Sequence, residues 1–223
     1  MTLSKVDLQE SMQKTSFKEF QLLAADARYK KMHQEIQKIK KGDVLEVGCA
    51  SGDFLEILKK EGWNCHGIDI TKELVDQAKK KGINAKMGNV QNSIPFNKKF
   101  DVIIAGEIIE HMIDVNKFLE ICDKHLKKNG TIMITTPNLV FWVNRILMLF
   151  GRKPMFAYAD FHYKMFIWKD LREKISAHFK IQKVRGSHIL VSTRRHPMFK
   201  IFEIMGDIFP TMSAHFIVIA RKK

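Results

Sequence analysis

The residues with the clearest chemical potential are Glu46, Gly48, Ala50, Ser51, Gly52 and Asp69. A short apolar run, Val44-Leu45-Glu46-Val47, passes into the small-residue turn Gly48-Cys49-Ala50-Ser51-Gly52, and the pattern predicts an amphipathic helix from Asp53 to about Glu61. Such a turn lets a ligand press on backbone that side chains would otherwise cover, and the helix after it offers unpaired N–H groups. Asp69 ends a second apolar run, Cys65-His66-Gly67-Ile68-Asp69, seventeen residues after Gly52. In a parallel sheet, an acid at that tip accepts hydrogen bonds from both hydroxyls of a ribose lying over the first turn. Turn and acid together point to a nucleoside cofactor.

The turn narrows the choice. A dinucleotide site uses G-x-G-x-x-G with a diphosphate on the helix N-terminus. Here the spacing is G-x-A-x-G, followed by Asp53, whose carboxylate would repel a diphosphate. Glu46, two residues before Gly48, suits a cationic or amine-bearing ligand instead. In these residues the chain resembles the class I S-adenosylmethionine-dependent methyltransferases, whose first motif is an acid followed by G-x-G-x-G; Ala50 departs from the middle glycine. Gly88-Asn89-Val90 stands where that family has Gly-Asp-hydrophobic, and Asn89 offers adenine only a neutral carbonyl. The resemblance continues through Phe100-Asp101-Val102-Ile103-Ile104-Ala105, the segment Gly106-Glu107-Ile108-Ile109-Glu110-His111-Met112, the Gly130 turn and Thr136-Pro137-Asn138. It covers about residues 28–138. It implies S-adenosyl-L-methionine as cofactor and S-adenosyl-L-homocysteine as product. The implied cofactor contacts are Glu46, Gly48, Ala50, Ser51, Gly52, Asp69, Ile70, Asn89, Val90 and Glu107, and no metal.

Length and composition fit one domain with a substantial core: 223 residues, of which 45% are hydrophobic. The first residues lack the apolar stretch of a signal peptide, and the apolar run Leu139–Phe150 is too short to span a bilayer as a helix. Cys49, Cys65 and Cys122 read as buried thiols of a reducing compartment, with no Cys/His spacing for zinc. The expected location is cytoplasmic, free or peripheral at the inner membrane face. Charge is unevenly placed. Residues 42–137 carry 13 Lys/Arg against 14 Asp/Glu, whereas residues 138–223 carry 16 against 5 and residues 1–41 carry 9 against 5. The basic part is the one that would meet an acceptor. An anionic acceptor, a nucleic acid, an anionic membrane or plain solvent all fit that imbalance.

The elements that must position these groups read as a doubly wound, Rossmann-like α/β fold. Strands near 43–47, 65–69, 83–87, 100–105 and 130–135 alternate with helices. A sixth strand at 180–186 and a seventh at 215–221 resemble the family's hairpin, giving a seven-stranded mixed sheet with an antiparallel last strand and helices on both faces. The expected organisation is an N-terminal helical cap (1–41), a cofactor-binding half (42–138), and a C-terminal half (139–223) with an insertion at 139–165, all one structural domain. In the family such N-terminal helices lie over the cofactor, so Arg28 or Tyr29 is placed to reach the methionine carboxylate. The insertion opens with a run apolar nearly all round, Leu139 to Phe150. As a helix it should be covered on more than one side, whether by capping the acceptor pocket, by dimerising or by dipping into lipid.

Methyl transfer from a sulfonium needs alignment and exclusion of water, and a hydroxyl acceptor adds a need for a general base. His111 is the first candidate and His162, in the insertion, the second; Glu107 and Glu110 could flank the methyl group or orient His111. Three readings remain open at this point. One is methyl transfer to oxygen of a small, lipid-linked or glycan acceptor. Another is an accessory or membrane-associated protein that keeps the fold and catalyses little, motivated by Ala50 and Asn89. The last is a nucleic-acid methyltransferase, raised by charge alone and lacking any Asn/Asp-Pro-Pro-Tyr/Phe motif.

Overall fold

The structure, a computed structural model, describes residues 27–155, 162–190 and 199–223. The helical start expected near Ser16 lies outside the described residues. Alternation of helix and strand is regular: α1 (Ala27–Ile36), β1 (Asp43–Val47), α2 (Asp53–Lys60), β2 (Asn64–Asp69), α3 (Lys72–Lys80), β3 (Asn84–Met87), β4 (Phe100–Gly106), a 3-10 turn (Ile109–His111) and α4 (Val115–His125). Then come β5 (Leu126–Pro137), α5 (Trp142–Leu149), α6 (Trp168–His178), β6 (Phe179–Gly186), α7 (Phe199–Ile208), a second 3-10 turn (Pro210–Met212) and β7 (His215–Lys222). Strand order is β3-β2-β1-β4-β5-β7-β6; β7 runs antiparallel between β5 and β6, and the remaining pairings are parallel. This is the seven-stranded mixed sheet expected from the sequence.

Period-two alternation sets the layers. Val44, Val102, Ile104, Met133 and Ile217 pack with Met32 and Ile36 of α1, Leu55 and Leu58 of α2, and Val75 and Ala78 of α3. Leu45, Ile103, Ile132 and Val218 pack on the other side with Phe118 and Leu119 of α4 and Leu171 and Ile175 of α6. Each such side chain contributes roughly 1.5–3 kcal/mol on burial. Glu46 shares the face of Val44, so it points toward the side covered by α1 and α2. The sheet therefore fixes where the site acids sit.

The rest of the chain does not cover α5: Asn144 is its buried residue, while Leu149 is 80% exposed and Phe150, just past the helix, 74%. The cause is local hydrogen bonding. Asn144 Nδ2 donates to the Leu139 carbonyl at 3.0 Å, and its Oδ1 accepts from the Met155 amide at 2.8 Å, so the polar residue staples the loop and the apolar end is left outside. Near the start of β5, the chain enters its strand at Leu126, directly after α4, rather than at Gly130.

The turn after β1 is left-handed at alternate residues: Gly48 has φ 71°, Ala50 φ 45° and Gly52 φ 74°. For glycine that region is open, whereas a Cβ there costs roughly 1–2 kcal/mol. Ala50 thus carries strain where the resembled family has glycine. Ala50→Gly is expected to raise the free energy of unfolding in urea by about 0.5–1 kcal/mol, glycine's greater freedom in the unfolded chain offsetting part of the relief. Unchanged or lower stability would show that the turn is not strained at this position.

Candidate active site

The site is built on the carboxyl edge of β1, β2, β4 and β5. The amides of Gly48 and Cys49 both donate to the Ile68 carbonyl, at 2.7 and 2.9 Å, tying the turn to the end of β2. The Asp69 carboxylate completes the clamp, accepting from the Ala50 amide through Oδ2 and the Thr71 amide through Oδ1, both at 2.9 Å. Burial pushes the Asp69 carboxyl up, against the pull of those amides. An acid at the tip of the second strand of a parallel sheet is placed to accept from the hydroxyls of a ribose lying over the first turn. A Cβ at Gly48 would overlap Ile108 Cδ1, so glycine is required where the Ile108 side chain packs against the turn.

Glu46 stands beneath this turn. It is 1% exposed, and neither of its carboxylate oxygens has a hydrogen-bond partner. Burial, then the nearby charges of Asp53 and Asp69, raises its carboxyl well above the ordinary range. Asp53 is itself engaged, accepting from Ser51 Oγ at 2.8 Å and pairing with Lys81. An unpaired carboxyl in such a place is costly to ionise unless a cation arrives. A ligand with a ribose diol at one end and an amine or sulfonium at the other fits Asp69 and Glu46 together, and S-adenosylmethionine is such a molecule.

The adenine side is less complete. Ile70, after Asp69, is partly exposed, and Val90 is buried. Asn89 is exposed, and its Oδ1 accepts from the Gln91 amide at 3.0 Å, so the carbonyl assigned to adenine is already shared with a turn.

The acceptor side lies past β4. Glu107 adopts φ 55°, a strained value for this residue type. Its carboxylate is held by Thr135 Oγ1 at 2.8 Å and by Arg28 at 2.7 Å, with His215 Nε2 at 3.5 Å. Arg28, expected at a methionine carboxylate, is therefore delivered to this edge by α1 as the partner of Glu107. Glu110 is fully buried; Thr136 Oγ1 donates to its Oε2 at 2.9 Å, and Oε1 has no partner. Burial, reinforced by Glu107, drives the Glu110 carboxyl well up.

Against Glu110 the fold brings both histidines singled out from sequence: the rings of His111 and His162 meet edge to face at 4.9 Å. One potential ligand atom each from Glu110, His111 and His162 lie within 4.8 Å of one another. Sequence spacing gave no hint of this cluster, because His162 comes from the far side of the insertion. The Lys164 amide, donating to the Glu110 carbonyl at 3.0 Å, returns it. His215 was also missed. Its register opposite Pro137, at the start of β7, is what places it at this edge.

Comparison with known proteins identifies the family and the fold. A family model described as a methyltransferase domain matches residues 16–177. The ubiquinone biosynthesis O-methyltransferase of Rickettsia conorii is 32% identical over 123 residues, which cover 52% of this chain and 41% of that protein. The protein of the same name from Actinobacillus pleuropneumoniae is 27% identical over 186 residues, 74% of each chain. Over the first relatives the chain spans somewhat less than half of their length. Among solved structures, a SAM-dependent methyltransferase from Thermotoga maritima superposes with TM-score 0.68 at 17% identity, covering 94% of this chain and 96% of that one. The plantazolicin methyltransferase BamL, solved with a substrate analogue and S-adenosylhomocysteine, gives 0.65 at 16% identity, covering 94% and 90%. At such identities these structures speak for the fold.

A bound cation favours the carboxylate form of Glu46, so S-adenosylmethionine binding should release a proton, and affinity should rise as pH increases through the elevated value. Calorimetry in two buffers of different ionisation enthalpy checks this. Glu46→Gln is expected to abolish the proton release and weaken binding by about tenfold. The same raised carboxyl stabilises the free fold fully below about pH 4.3, with that contribution lost as pH climbs through the elevated value, so the variant should be more stable than wild type at neutral pH. Proton uptake, or no difference between the two proteins, would contradict the assignment.

Proposed function

The chain belongs to the S-adenosylmethionine-dependent methyltransferase family, and we propose that it transfers the methyl group to an oxygen of a lipid-linked acceptor, most simply a phenolic hydroxyl. The observation that carries the transfer site is the cluster at the end of β4, where His111 and His162 meet beside buried Glu110. When bound, the cofactor supplies an electrophilic methyl group, which needs little beyond alignment. Asp69 and the Gly48–Gly52 backbone hold the nucleoside, with Ser51, Ile70, Asn89 and Val90 along its bed. Glu46 faces the cationic end. Glu107, fixed by Arg28 and Thr135, walls the acceptor side.

His111 is assigned the acceptor's proton, with His162 closing over it from the insertion. The O-methyltransferase names of the Rickettsia and Actinobacillus relatives support oxygen as the methylated atom. Their ubiquinone-biosynthesis names support an acceptor with a lipid-like tail over a glycan. A nucleic acid is disfavoured by the same names. The accessory, non-catalytic reading loses its motive at Ala50, since with alanine there the turn keeps its left-handed conformation and its amide bond to Asp69. A second chemical reading attaches to Glu110: a buried carboxylate with one free oxygen, beside two imidazoles, can take a divalent cation in place of a proton. Such an ion would lower the pKa of a hydroxyl at the same spot.

The test is methyl transfer from labelled S-adenosylmethionine to a prenylated phenol in detergent. His111→Ala is expected to lower kcat by about 10²–10⁴-fold, with cofactor affinity within about threefold of wild type. Loss of activity on chelation, restored by added Mg²⁺ or Zn²⁺, selects the cation reading; insensitivity to chelation selects the base. Full activity in His111→Ala, or transfer only to amine acceptors, would overturn the assignment.

A further inference from the structure

α7 is folded inside out. Its sequence, Phe199-Lys200-Ile201-Phe202-Glu203-Ile204-Met205-Gly206-Asp207-Ile208, separates polar from apolar residues at helical spacing. Yet Glu203 and Gly206 are buried, while Ile201, Ile204 and Ile208 are exposed, the last at 62%. An ion network enforces this orientation. Lys30 Nζ donates to Glu203 Oε2 at 2.7 Å, and Arg185 grips Asp207 in bidentate fashion at 2.7 and 3.0 Å. Lys31, itself buried, donates to the carbonyls of Gly186 and Glu203 at 2.6 Å and pairs with Asp207 at 3.1 Å. Rolling the helix to hide its isoleucines would strand those charges in the interior, a far larger cost than exposing three apolar side chains.

The exposed stripe is not isolated. Leu149 at the end of α5 and Phe150 just past it are also outside, and Arg145 of α5 and Asn138 before it donate to the carbonyl of Thr211, in the 3-10 turn after α7, at 3.2 and 3.0 Å. Both helices leave the carboxyl edge of the sheet, the edge that carries the site: β6 ends there at Gly186, and β7 begins there at His215, opposite Pro137. So two outward apolar helices flank the edge of the sheet that carries the site. Arg145, Arg152, Lys153 and Lys200 are exposed on these two segments, whereas the acids of α7, Glu203 and Asp207, are turned inward to Lys30, Lys31 and Arg185.

We propose that this surface docks on an anionic lipid bilayer, setting the isoleucine stripe of α7 and the end of α5 into the interface and turning the edge that carries the site toward the membrane. The partner is chosen by charge. A second copy would press two strongly basic surfaces together, whereas an anionic leaflet neutralises them. Apolar insertion combined with basic residues is also the pair of signals that peripheral binding requires. No described helix is long and apolar enough to cross a membrane, so the contact is one of surface attachment. This deepens the proposal of a lipid-linked acceptor but rests on it only for the direction in which the acceptor enters.

The test is co-sedimentation of the full chain with vesicles of phosphatidylcholine alone and with equal parts phosphatidylglycerol. Binding is expected to be at least about tenfold tighter to the anionic vesicles and weaker at high salt. The double variant Ile204→Glu/Ile208→Glu is expected to lose about tenfold or more on anionic vesicles, with thermal stability and S-adenosylhomocysteine affinity unchanged. Wild type that ignores anionic vesicles, or a variant that binds them as well as wild type, overturns the proposal. So does a concentration-dependent dimer in sedimentation velocity that the variant abolishes, because a second copy would then be the occupant. Methyl transfer to a short-chain, water-soluble phenol, measured without vesicles, is independent of docking. Its presence or absence separates failure of this inference from failure of the proposed reaction.

Discussion

A carboxylate sealed at the end of a central strand without a partner is the constraint on which the site is built. Glu46 lies on the α1–α2 face of β1, and neither of its oxygens finds a donor. Proteins rarely leave such a group unsatisfied, because ionising it in the interior is expensive. Everything around it keeps that expense in place. The left-handed turn at 48–52 follows it, and Asp69 holds that turn through the Ala50 amide while its other oxygen accepts from the Thr71 amide. Two acids so close disfavour each other's ionisation, and a ligand carrying both a diol and a positive charge relieves both at once. The free protein thus holds local instability at the point where binding is needed.

The same logic governs the acceptor side. Glu107 is bent into a left-handed conformation and tied to Arg28, while Glu110 is buried with one oxygen free. The threonines that close β5, Thr135 and Thr136, each hold one of these acids. β5 therefore does more than fill the sheet, since its last residues orient the groups that face the acceptor. After it, His162 stands against His111 beside these acids. Stability comes from the two apolar layers of the sheet, and chemistry from the polar ends that those layers hold at one edge.

Much of this was legible in the amino-acid order. Apolar runs at strand length, the glycine-rich turn and the acid at Asp69 are local signals, and local signals survive folding. The reversed last strand was legible only through the family resemblance, because the 28 residues between 186 and 215 leave room for a parallel crossover as well. What was hidden depends on distant partners. Periodicity assigns an apolar stripe to the core, but the stripe of α7 faces out because Lys30, Lys31 and Arg185 hold its acidic side in. The end of α5 lies outside for a similar reason, the inward pull of Asn144 outweighing its apolar neighbours. The meeting of Glu110, His111 and His162 depends on a loop returning across the sheet edge, which spacing along the chain does not record.

The account rests on an adenosyl ligand bridging Asp69 and Glu46, and titration calorimetry of wild type and Asp69→Ala with S-adenosylhomocysteine addresses it most directly. Wild type should bind in the micromolar range and the variant at least roughly tenfold more weakly, as the loss of charge-assisted hydrogen bonds to the diol demands. Equal affinity in the two proteins, or a wild type that ignores this nucleoside and binds a pyridine dinucleotide instead, would contradict it.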